Sequence, residues 1–230
     1  MNPIRAIRRS AMFFPLLLIA AALFAQSASQ RREIAAALSY DGLKEIKVRG
    51  IDMAFARPGA SLAGYTKVRI EPVSVSFHKN WNPTVPGSRF KLSTEQQENI
   101  RNGVAKLVFD TFVDELQKNG YDIVKIAGPD VLDVQAAIIN LYVTAPDVPT
   151  AGRVRTYTVS AGEMTLVAAL ADSETGEVIA RVFDRTEARD TGNFTLSSNV
   201  FNVAEARAAA AGWARILRVS LDNARSSVKN

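Results

Sequence analysis

The chain of 230 residues contains no cysteine. That excludes disulfides, thiolate metal ligands and any lipid attached through a cysteine thioether. It contains one histidine, His78, which excludes sites built from several histidines. A carboxylate-only site would favour calcium or magnesium, but no aspartate-rich loop has the spacing for one. A glycine-rich phosphate loop and a Gly-x-Ser-x-Gly elbow are also missing. No cofactor, no metal and no enzymatic activity are therefore expected. The formal net charge of +5 owes three units to Arg5, Arg8 and Arg9. Without them 25 basic residues face 23 acidic ones, dispersed rather than gathered into the stripe a nucleic acid would need. Nor is there a long apolar run: Ala11–Ala25 is about 15 residues, against roughly 20 for a spanning helix.

What stands at the front is informative. A basic end (Arg5, Arg8, Arg9), a short apolar centre containing Pro15, and a small-residue exit before Gln26–Arg32 follow the order of a secretory signal. Residues 1–25 are read as a cleaved signal, cut after Ala25 or, second, after Ala28. The residues after Arg8-Arg9 lack the apolar position of a twin-arginine signal, so the general export route is expected, with a periplasmic destination and no transmembrane segment after cleavage. About 205 residues remain, enough for one domain that buries roughly 70% of its unfolded surface.

Residues 26–64 show no sustained period and are read as an N-terminal extension with a short edge strand at Ile46 and Val48. The α+β domain is placed at 65–230. Tyr65–Phe77 alternates β-branched and aromatic residues with polar ones, and Pro72 predicts a bulge or an edge position within it. Ser93 or Thr94, with Gln96 and Gln97, predicts a helix start, and Asn119-Gly120 its end. The buried stripe of that helix is Ile100, Val104, Leu107, Val108, Thr111, Phe112 and Leu116. A short strand is expected at Tyr121–Ala127.

Val131–Val143 is apolar on both alternating faces, Val134, Ala136 and Ile138 against Ala137, Ile139 and Leu141, which predicts a central strand. Val154–Ala171 and Glu177–Arg185 form a hairpin around Asp172–Gly176. Thr186–Asn199 is expected to be a loop. A final helix carries Ala206, Ala210, Trp213, Leu217, Leu221 and Ala224 on its buried side. The fold class is α+β: a single mixed, largely antiparallel sheet packed by two long helices, about 93–119 and 202–226.

Few residues invite a chemical role. His78 as a general base would need a nucleophile and an orienting carboxylate, and the pattern nominates neither. Trp81 is either an exposed binding aromatic or a lid on one end of the core. Arg153 and Arg155 could grip an anionic ligand or a peptide carboxylate. These three, Trp81, Arg153 and Arg155, are the ligand or partner candidates, and no catalytic residue is assigned. Glu163 lies in the long strand on one face with Thr165 and Val167. The arginines of the last helix are accounted for by pairs such as Arg218–Asp222.

Several stretches together resemble one bacterial family. They are Arg57-Pro58-Gly59 through Tyr65-Thr66-Lys67-Val68, Glu71-Pro72-Val73, Trp81, Ser160 to Leu166, Asp172 to Gly176 with Ala180-Arg181, and Trp213-Ala214 before Leu217 and Leu221-Asp222. The family is the uncharacterised envelope and lipoprotein family classed as domain of unknown function 3313. The resemblance implies an α+β fold and an envelope address; it supplies no reaction and no catalytic residue. The chain departs from the family's lipoproteins in having no cysteine to acylate. The expected function is that of a non-catalytic periplasmic interaction or assembly module with an envelope protein as partner. The alternatives are a small-molecule or peptide binder near Trp81, Arg153 and Arg155, and a hydrolase using His78.

Overall fold

The computed structural model describes residues 28–81, 91–143, 156–158, 162–187, 195–197 and 199–228. The signal read at 1–25, and Arg153 and Arg155, lie outside the described residues. The fold is α+β as expected. Eight strands form one mixed sheet, in the order β1 (Lys44–Ile46), β2 (Met53–Ala56), β9 (Val178–Glu187), β8 (Gly162–Asp172), β6 (Val131–Val143), β3 (Lys67–Ile70), β5 (Asp122–Ile123), with β4 (Ser74–Phe77) also paired to β6. The pairings from β1 through β6 are antiparallel, whereas β3 and β4 run parallel to β6 and β5 runs parallel to β3. β7 (Thr156–Thr158) and β10 (Thr195–Ser197) form a separate antiparallel ribbon. The helices are α1 (Ala28–Leu38), α2 (Thr94–Lys118) and α3 (Asn199–Val228).

The two long helices form for the reasons the sequence contains. Ser93 caps α2 in a reciprocal capping box: its hydroxyl accepts from the Gln96 N–H, and the Gln96 side chain accepts from the Ser93 N–H. Gly120 closes the helix at φ 84°, a conformation that glycine adopts without a Cβ clash. Val108, Phe112 and Leu116 of α2, with Ala210, Trp213, Ala214, Leu217 and Leu221 of α3, are buried against Val68, Leu132, Val134, Ile138 and Leu166 of the sheet. This is the main core. Burying each large aliphatic or aromatic side chain contributes about 1.5–3 kcal/mol before chain entropy is counted.

The other face of the sheet has a smaller core. Ile34 and Leu38 of α1 pack with Leu43, Met53, Phe55, Ala137, Ile139, Val167, Val178 and Phe183. Arg181, 4% exposed, reaches the end of α1 from β9: its guanidinium donates to the Tyr40 and Leu38 carbonyls and pairs with Asp41 at 2.9 Å. α1 and β2 fall in the segment without a sustained period. Only Ile34 and Leu38 give α1 a buried apolar pair, one turn apart, too narrow a stripe to stand out.

Four further boundaries differ from expectation. Tyr65–Phe77 is two strands, because the ladder to β6 is interrupted at residues 71–73, where Pro72 has no N–H to donate. Tyr121–Ala127 contributes only Asp122–Ile123. Val154–Ala171 is divided between β7 and β8, which belong to different sheets. The presumed loop Thr186–Asn199 holds the end of β9, all of β10 and the first residue of α3; residues 188–194 and 198 are outside the described set.

The register explains a fifth difference. Ile70 pairs with Val134 but Ser74 with Ala137, so the β3–β4 side carries one extra residue at Pro72. Val75 pairs with Ile138 but Phe77 with Leu141, so β6 returns the offset at Asn140, which also shifts the pairing with β8. Asn140 has φ 54°. Each extra residue reverses which side chains face inward. Leu141, expected on the face of Ile139, is instead buried in the main core with Phe77 packed on the same cluster.

Candidate functional site

The bulge at Asn140 decides what lies at that end of the sheet. Because Leu141 and Val143 turn to the main core, Tyr142 turns to the opposite face, where it is 39% exposed. The His78 ring sits edge-on to Tyr142 at 6.1 Å between centroids. Tyr142 is the register partner of Glu163. Glu163 forms a two-pronged pair with Arg185, both contacts at 3.0 Å, and both side chains are partly exposed. The end of β4, with His78 just past it, and strands β6, β8 and β9 thus bring His78, Tyr142, Glu163 and Arg185 into one row.

Beneath the row lies Thr165, opposite Ile139 and Arg185 in register and fully buried. Its hydroxyl has no hydrogen-bond partner, an omission that costs about 1–3 kcal/mol. A non-glycine residue in the left-handed region of a central strand is a second local cost. Such costs concentrate where a surface is shaped for use.

Trp81 closes the core side of the same end. Its ring stacks on Phe77 with centroids 3.9 Å apart and 17° between planes, and its Nε1–H donates to the Val143 carbonyl at 2.9 Å. Arg101 of α2 lies over the other aromatic of that pair, 5.7 Å from the Phe77 centroid. Trp81 is half-buried in this arrangement. His78 holds its own turn: its N–H donates to the Leu141 carbonyl, and its Nδ1 accepts from the Asn80 N–H at 3.1 Å.

Glu163 was visible in the sequence as a polar residue in a strand; its pairing with Arg185 was not. Tyr142 was missed because simple alternation gives no sign of the extra residue at Asn140. Asp184 was missed too, although a charged residue in phase with Val182, which is half-buried against the main core, is a signal in β9. It is 8% exposed and accepts from Trp213 Nε1 at 2.7 Å and from the Asp52 N–H at 3.0 Å. Burial raises its pKa above the usual aspartate value against the pull of these donors.

The opposite end of the molecule is closed by its own polar groups. Tyr121 donates to Asp222 at 2.7 Å, Arg218 pairs with both Asp222 and Glu115, and Arg225 stacks 4.1 Å above the Tyr121 ring while donating to the Tyr65 carbonyl. Tyr65 donates to Asp172, whose other oxygen holds the hairpin turn through Thr175. Arg218 and Arg225 are thereby committed inside the fold. Among the described residues no group of three or more metal-ligating side chains occurs, and no helix is long and apolar enough to cross a membrane.

No curated protein matches the chain. Among solved structures it is similar to the PelC dodecamer of Paraburkholderia phytofirmans, at 11% identity over 71% of this chain and 93% of that one, with a TM-score of 0.37. It is also similar to a DUF330 protein of Xanthomonas campestris, at 12% identity over 79% and 95% of the two chains, with a TM-score of 0.42. A DUF4136 protein of Bacteroides thetaiotaomicron is similar at 10% identity over 79% and 99%, with a TM-score of 0.36. A family model described as a protein of unknown function, DUF3313, matches residues 32–217. That span is well over half of the 230 residues, and the chain belongs to the DUF3313 family.

Proposed function

We propose that this is an exported, non-catalytic protein of the cell envelope that works by binding another envelope protein through the row His78, Tyr142, Glu163 and Arg185. The observation that carries the proposal is the bulge at Asn140, which turns Tyr142 outward into a row of aromatic and charged side chains. Tyrosine and arginine are the residue types that anchor protein contacts, since each combines a large contact area with a polar tip. The basic, apolar and small-residue order of residues 1–25 supports export.

The tautomer of His78 supports a non-catalytic reading. With Nδ1 accepting from Asn80, the neutral ring carries its proton on Nε2. A serine–histidine–aspartate base needs the reverse, a proton on Nδ1 and a free lone pair on Nε2.

The test is photo-crosslinking in intact cells with a reactive residue at position 142, and a control at Arg215 on the exposed side of α3. Crosslinks from position 142 to one reproducible envelope protein are expected. Crosslinks from position 215 alone would move the surface elsewhere, and none from either would sink the binding reading.

A further inference from the structure

Asp184 is a buried carboxylate at the seat of the longest helix. It lies in β9 opposite Leu166, on the sheet face that α3 covers. Trp213 of α3 donates to one of its oxygens and the Asp52 N–H to the other; the Thr186 side chain donates as well. Among the described residues, none of the main groups acting on it is a cation. The facing turn of α3 presents Ala210, Trp213, Ala214 and Leu217, all buried and none titratable. β8 presents Leu166, and the segment before β2 presents Asp52, a second carboxylate that accepts from the Arg185 N–H. The Arg185 guanidinium is on the other face, paired with Glu163.

We propose that Asp184 is a pH-sensitive latch for α3: protonation tightens the seat of the helix on the sheet, and ionisation loosens it. Lifting Trp213 off the sheet hydrates the Asp184 carboxylate and removes the cost of burying its charge. The seated state therefore holds the proton more tightly than the lifted state, and acid favours the seated state by linkage. Desolvation is the main cause that raises the pKa of Asp184, and the Asp52 charge adds to it, while the three donors oppose it. The sign follows. The extra stability is fully present below the ordinary aspartate value and is lost as pH rises through the raised one. Each pKa unit between the two states changes the opening equilibrium tenfold.

The experiment uses the purified protein with Trp81→Phe, which leaves Trp213 as its one tryptophan. Acrylamide quenching of Trp213 is followed from acid to neutral pH. Quenching is expected to increase as pH rises, with a single midpoint above the ordinary aspartate value. Asp184→Asn should abolish the titration. Asp52→Asn should retain it but move the midpoint to lower pH, because a like charge has been removed. A titration that persists in Asp184→Asn, one that runs in the opposite direction, or quenching that is independent of pH would overturn the proposal. Should Asp184→Asn fail to fold, Asp52→Asn decides: an unmoved or raised midpoint refutes the latch.

Discussion

Replacing Asn140 discriminates between a regular central strand and the bulged one described here. In a regular strand, valine at this position would be neutral or stabilising, because β-branched side chains fit a pleated sheet. At φ 54° the reverse holds. The left-handed region costs a residue with a Cβ about 1–2 kcal/mol, less for asparagine and almost nothing for glycine. Asn140→Gly is therefore expected to stay within about 1 kcal/mol of the parent, Asn140→Ala to lose about 1 kcal/mol, and Asn140→Val to lose about 2 kcal/mol or more. In a chain of this size about 1 kcal/mol moves the melting temperature by roughly 2–4 °C. Thermal and urea unfolding of the three variants would give the order directly. A second readout is chemical: nitration of Tyr142 reports whether its ring still faces outward. A valine variant as stable as the parent, with Tyr142 unchanged, would refute the bulge and the site built on it.

Other perturbations address other parts of the fold. Gly103 in α2 and Gly212 in α3 have nothing within 4 Å of where a Cβ would stand, so each change to alanine should stabilise by up to about 1 kcal/mol; a loss in urea unfolding would mean hidden packing. Arg181→Met leaves Asp41 and the carbonyls that end α1 without their donor. A loss of about 1–3 kcal/mol is expected, with faster proteolysis within α1, and an unchanged cleavage rate would remove Arg181 from that role. Burial, then hydrogen bonds to Asp172 and Asp222, push the phenols of Tyr65 and Tyr121 up to about 12. Their contribution to stability is present below about pH 10 and lost as pH rises toward 12. Phenolate absorbance should show two late-titrating tyrosines, and Asp172→Asn should bring Tyr65 forward while leaving Tyr121 in place.

The elements legible in the sequence are those whose signals are local. The capping box at Ser93, the glycine after α2, the apolar stripe from Ile100 to Leu116, the doubly apolar run Val131–Val143 and the turn at Asp172–Gly176 each act within a few residues. Each appears where expected. Trp213 is buried as its place in the α3 stripe implied. The pairing Arg218–Asp222 is present too, but Arg218 also reaches across to Glu115 of α2, a partner 103 residues away in the chain. Local pattern has no access to a contact of that separation.

The candidate site was legible only in fragments. His78, Trp81 and Glu163 could be singled out by residue type. The row they help to form could not, since it depends on two single-residue offsets, at Pro72 and Asn140, that cancel across the β6 ladder. Proline signals the first of these because it lacks an N–H. Asparagine at Asn140 signals nothing by itself, because its left-handed conformation is set by where Leu141 and Phe77 are buried.

The sequence by itself determined the two long helices, the central strand, the absence of thiol chemistry and the order of the export pattern, because propensity, capping and alternation are carried by neighbouring residues. The tertiary structure alone decided which face Tyr142 occupies, that Arg185 meets Glu163, and that Asp184 is sealed beneath Trp213. Those outcomes come from register between strands and from the seating of α3, both set by burying the two cores together.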